Sequence, residues 1–159
     1  MTRSGPQVAL LGFAAVAGLA ASGCSNPPSA RGLPTDALHE AIAHAVGDPS
    51  TCVLLADRAT RRVIYRYGEA FNCVRGLPAC DRPGSLTATD ALSLAVEPGG
   101  RAVSCPSTAD GSRLVGWAEG RANSQTRDLI YSATMEGEDA FPGHELAARL
   151  DGAFAKAGL

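Results

Sequence analysis

The sequence predicts an α+β domain: about five antiparallel strands, with an N-terminal and a C-terminal helix packed on one face of the sheet. Three features carry this prediction. Apolar residues recur at helical spacing near both ends of the region 34–159. Five short apolar, β-branched or aromatic runs lie between those ends. The runs come as a pair and then as a triplet, and do not alternate with helices.

The first helix places Leu38, Ala41, Ile42, Ala45 and Val46 on one side. Thr35 or Asp36 can cap it and Gly47 can end it. Residues 51–56, Thr-Cys-Val-Leu-Leu-Ala, form a short buried strand. Residues 57–61 turn the chain, and residues 62–67 return as a β-branched, aromatic strand. Pro, Gly and Cys then dominate as far as Gly84. Residues 87–96 read as a short helix with Ala88, Leu92, Ala95 and Val96 inward, although the alternation of Leu92, Leu94 and Val96 also fits a strand. Residues 101–105, 113–119 and 127–135 read as three strands joined by hairpin loops. A last helix over about 144–156 buries Leu146, Leu150, Ala153 and Phe154.

The region is one domain's worth of chain, and a single core of that size is feasible. It is preceded by residues 1–23 and by a linker over 24–33 that carries two adjacent prolines and no large apolar side chain before Leu33. Residues 1–7 carry one cation, Arg3, and no acid; residues 8–21 are an apolar run too short for a membrane span. Ala21, Ser22, Gly23 and Cys24 follow. This stretch resembles the lipobox of bacterial lipoproteins, although Ala21 stands where leucine is usual. The resemblance implies cleavage before Cys24 and acylation of its thiol. It also implies a membrane anchor facing the periplasm or the cell exterior, with Ser25 directing a two-membrane cell to its outer membrane.

Four cysteines remain in the domain, and an even count in an exported chain argues for two disulfides. The favoured pairing joins Cys73 to Cys80 across a short Gly76–Pro78-containing loop, and Cys52 to Cys105 between strand ends. No Cys-x-x-Cys motif occurs and no histidine lies near a cysteine at ligand spacing, so no metal or other cofactor is expected.

The formal net charge is −2, and loss of residues 1–23 removes Arg3 and no acid, which makes it −3. Nucleic acid is therefore not an expected partner. His39 and His44 are five residues apart, roughly 140° around a helix, and do not form a zinc-protease pair. They read as a solvent face, and His144 as a surface residue. Ser107, Thr108 and Ser112 fall in a turn with no signature of a partnered base.

The hairpin over residues 53–65 is similar to the first hairpin of the serine β-lactamase and penicillin-binding protein family, with Arg61 where glycine is usual. Cys105-Pro106-Ser107-Thr108 followed by Val115-Gly116-Trp117 is similar to the strand that carries Lys-Thr-Gly in that family. The catalytic residues do not carry over. Three residues after Ser85 stands Ala88, Cys105 takes the Lys-Thr-Gly lysine position, and Lys156 is the only lysine. No catalytic residue is assigned.

Two function classes remain: a non-catalytic envelope module that binds a protein or peptidoglycan partner, or a degenerate β-lactamase-like domain or unrecognised hydrolase. For the first, the candidate surface is Arg58, Arg61, Arg62 and Arg66, in a stretch that continues to Arg75 and Arg82. A solvated edge is the plainer reading of such arginines.

Overall fold

The structure is a computed structural model and describes residue 1 and residues 32–96, 99–122, 124 and 127–159. The stretch over residues 21–24 that resembles a lipobox, Cys24 included, lies outside these. In chain order the elements are α1 (Thr35–Val46), β1 (Cys52–Asp57), β2 (Val63–Tyr67), α2 (Ala70–Val74), β3 (Leu77–Pro78), β4 (Ser85–Leu86), α3 (Ala88–Ala91), β5 (Arg101–Pro106), β6 (Leu114–Ala122), β7 (Leu129–Gly137) and α4 (Gly143–Lys156). Five strands make one antiparallel sheet in the order β2-β1-β7-β6-β5. The architecture is α+β, with α1 and α4 packed together on one face, as the sequence predicts.

The helical face is apolar. Leu38, Ile42 and Val46 of α1 and Leu146, Leu150 and Phe154 of α4 pack on Val53, Leu55, Ala118, Tyr131, Ala133 and Met135 of the sheet. Removing each of the larger side chains from water stabilises the fold by roughly 1.5–3 kcal/mol. The start of α4 lies directly against the sheet. A Cβ at Gly143 would collide with the carbonyls of Val103 and Trp117, and one at Gly116 with the carbonyl of Phe141, so both positions require glycine for close approach. Pro34, not Thr35 or Asp36, occupies the N-cap of α1, and no side chain caps it. Gly47 ends the helix as expected.

The opposite face is covered by residues 70–96, which form a cap of short pieces. Cap residues Leu77, Ala88, Ala91, Leu92 and Ala95 pack on Leu54, Ala56, Val115, Trp117 and Ile130. Residues 87–96 are helical only over α3, followed by turns, with the expected Ala88, Leu92 and Ala95 buried. Because both faces are covered, β1 is buried along nearly its whole length, which accounts for its unbroken apolar sequence.

The disulfides differ from the favoured pairing: Cys52 joins Cys73 and Cys80 joins Cys105, with Cα separations of 5.3 and 5.4 Å. Sheet order explains the correction. Cys52 faces Thr134 on β7, Thr134 faces Trp117 on β6, and Trp117 faces Val103 on β5. Three interstrand steps of about 4.8 Å separate Cys52 from β5 by ~14 Å, twice the ~7 Å limit for a bridge. Cys73 and Cys80 are not closed on each other either, because residues 70–74 form α2 rather than a loop, with Cys73 buried against β1. Each bridge therefore ties the cap to the sheet, one at β1 beside the β2 edge and one at the β5 edge.

Candidate functional site

The β1–β2 hairpin carries the four arginines of the candidate surface. Asp57 organises its turn by accepting from the Thr60 amide at 2.9 Å and hydroxyl at 2.8 Å. Arg61 has φ 55°, the left-handed backbone that glycine favours. Arg58 turns away to Asp128 at 3.2 Å, and Arg121 reaches the same carboxylate at 2.8 Å. Arg61, Arg62 and Arg66 are exposed and make no ion pair among the described residues. The rest of the stretch is drawn into the cap: Arg75 pairs with Glu136 at 3.2 Å and Arg82 with Asp81 at 3.1 Å.

β2 is the outermost strand, so one row of its backbone groups has no strand beside it. A groove of about 980 Å³ runs along this edge. Leu54, Val63, Tyr65, Tyr67 and Val74 supply much of its wall, with Asp36 and His39 of α1 at one side, Glu69, Ala70 and Cys73 at the other, and Arg66 on β2 itself. The His39 and Tyr67 rings lie 5.2 Å apart. Phe71 and Val74 of α2 are 66% and 64% exposed, the large apolar side chains most open to solvent in the folded domain.

Two buried glutamates on the capped face were not foreseen from the sequence. Glu119 is fully enclosed and takes both 2.8 and 3.0 Å bonds from Arg101, which also donates to Asp81 and to the Ala79 carbonyl. Burial pushes the Glu119 carboxyl up to about 7, against the pull of Arg101. Glu136 accepts from Arg113 at 2.7 and 2.9 Å and from the Ser107 hydroxyl at 2.7 Å, and Arg113 beside it holds its carboxyl down at about 2. Ser107 thus has a carboxylate partner, but one too acidic to take its proton. The signal was present: Trp117 and Glu119 share one parity of β6, and Ile130, Ser132, Thr134 and Glu136 one parity of β7.

A second pocket of about 420 Å³ lies at the end of the sheet, lined by Arg101, Glu119, Arg121, Tyr131 and Asp151 among others. Its arginines are already matched to Glu119, Asp81 and Asp128. His39 and His44 are exposed on α1 and His144 on α4, and none is brought to a serine or a buried carboxylate among the described residues. No group of three histidines, cysteines or acids that could hold a metal occurs among the described residues. No described helix is long and apolar enough to cross a membrane.

No family model, curated protein or solved structure matches the chain.

Proposed function

We propose that the chain is a membrane-anchored cell-envelope lipoprotein whose folded domain is a non-catalytic binding module. The observation that carries the binding reading is the β2 edge: an outer strand beside a groove, with Arg61, Arg62 and Arg66 exposed and unmatched by carboxylates among the described residues. The buried acids support it from the other side. Glu136 is tied by Arg113 and Arg75, and Glu119 by Arg101, so their geometry serves the cap rather than a bound substrate.

Two disulfides are consistent with a chain that folds outside the cytoplasm. The lipid anchor rests on residues 21–24. The Cys24→Ser protein is expected to lose acylation and retention in the membrane fraction, read by mass spectrometry of the mature amino terminus. An unmodified Cys24 in the wild-type protein, or cleavage elsewhere, would sink the anchor.

A degenerate β-lactamase-like domain is the second reading, favoured by the left-handed backbone of Arg61 where that family's hairpin has glycine. In that reading Cys105 is bonded to Cys80 and Lys156 lies in α4, so neither lysine of the chemistry has a counterpart.

A further inference from the structure

We propose that the β2 edge binds an extended, acidic peptide segment of a partner protein by strand addition, a mode that rests on the binding-module reading and specifies it. The first argument is the backbone. β2 pairs with β1 on one side only, and none of the backbone groups of Val63–Tyr67 bonds to a loop or helix among the described residues. The register with β1 slips by one residue at Ile64, so the five residues leave about two N–H or C=O pairs pointing outward, enough for a short added strand.

The second argument is the groove. It follows this edge from α1 on one face of the sheet to α2 on the other. Alternate side chains of an added strand point to opposite faces. One set meets His39 and Tyr67; the other meets Val63, Val74 and the exposed ring of Phe71. Apolar residues on the added strand thus find a surface on both sides.

The third argument is the charge along the strand itself; the groove's carboxylates are Asp36 of α1 and Glu69, two residues past the end of β2. Arg66 stands within β2, and Arg61 and Arg62 stand at its start. Carboxylates on an incoming strand meet cations on this side of the edge. A second copy of the chain is disfavoured in the register that brings the arginines together. Two β2 strands paired antiparallel about Ile64 would set each Arg62 against the other copy's Arg66, and like charges directly opposite destabilise a pair. In that register the arginines disfavour self-pairing, while an acidic strand meets opposite charge beside Arg62 and Arg66.

The test uses the full chain and two model peptides of about seven residues, one alternating valine with glutamate and one alternating valine with lysine. The glutamate peptide is expected to bind, to slow hydrogen exchange at the outward amides of residues 63–67, and to weaken with added salt. The lysine peptide is expected not to bind. In the Arg62→Glu, Arg66→Glu variant the preference is expected to reverse; circular dichroism and retained disulfides confirm that this surface variant folds. Binding through the arginines with no protection of residues 63–67 overturns strand addition and leaves the binding-module reading standing. Absence of binding by either peptide overturns the strand-addition proposal and leaves the broader binding-module reading standing. Dimerisation of the wild-type chain through β2, seen by sedimentation and by protection of the same amides without peptide, also overturns the proposal.

Discussion

The two faces of the sheet are covered by different means. On one, α1 and α4 lay continuous apolar stripes on apolar strand positions, and no buried charge intervenes among the described residues. On the other, residues 70–96 follow no regular pattern for more than five residues at a stretch, the length of α2. That cap is held by two disulfides and by bonds from sheet side chains to its own backbone: Arg101 to the Ala79 carbonyl, the Trp117 indole to that of Pro78 at 2.8 Å, and Ser132 to that of Ala88 at 2.5 Å. The difference is between cohesion spread over many dispersion contacts and cohesion concentrated in a few directional links.

The comparison makes its largest prediction for the helical face. Leu150→Ala removes a fully buried side chain between two long elements that cannot collapse onto the gap. A loss of about 2–5 kcal/mol is expected in urea denaturation. Leu77→Ala, in the two-residue strand of the cap, is expected to cost less because the irregular segment can settle. Equal losses would mean that the cap is as rigidly packed as the helices.

Breaking the cap's covalent links comes next. The bridges close chain separations of 21 and 25 residues, so the chain-entropy model gives each about 3 kcal/mol. The double variants Cys52→Ala, Cys73→Ala and Cys80→Ala, Cys105→Ala are expected to lose similar stability. Mild reduction is expected to open Cys80–Cys105 first, since Cys52 and Cys73 are buried while Cys80 and Cys105 are partly exposed. Non-reducing peptide maps after partial reduction check the order, and early loss of Cys52–Cys73 contradicts it.

The two glutamates give opposite pH dependences. Glu136 is held down from 4.5 to about 2, so its contribution is present above 4.5 and is lost as the pH falls toward 2. Glu119 is pushed up from 4.5 to about 7, so its contribution is present below 4.5 and is lost as the pH rises through 7. Relative to wild type, Glu119→Gln is expected to gain stability as the pH rises across that window. Glu136→Gln is expected to be costly at neutral pH and to approach wild type in acid. Denaturation curves at several pH values decide it, and a flat difference for either variant removes the assigned role.

The smallest effect returns to the helical face. Arg149 meets Glu145 at 2.8 Å across one turn of α4, and its guanidinium lies 3.9 Å from the centre of the Phe141 ring. Both partners are substantially exposed, and Arg149→Ala is expected to cost no more than about 0.5 kcal/mol for the ion pair. A loss above that, removed by Phe141→Leu, assigns the remainder to the ring contact.

Legibility from sequence follows the same division. Leu38, Ile42, Leu146 and Leu150 announced their helices by spacing alone, and the five strands were placed within a few residues, because periodicity records which side of an element is buried. The cap left no period to read. Cys73 and Cys80 are close in sequence, yet each is committed to a different strand of the sheet, and only the order β2-β1-β7-β6-β5 makes that visible. For the surface, Arg58 and Arg66 look alike in the sequence. Asp128, seventy residues from Arg58, neutralises one and leaves the other to solvent.

The sulfur links also decide which part of the fold has most to lose in a reducing solution. With the four thiols reduced, the α1 and α4 side keeps its large apolar cluster, whereas the segment over Trp117 keeps a smaller cluster of mostly short side chains and a few hydrogen bonds. Oxidation closes that lid at two strands. A chain stripped of both links is expected to open first over Trp117, with the second side of its sheet exposed.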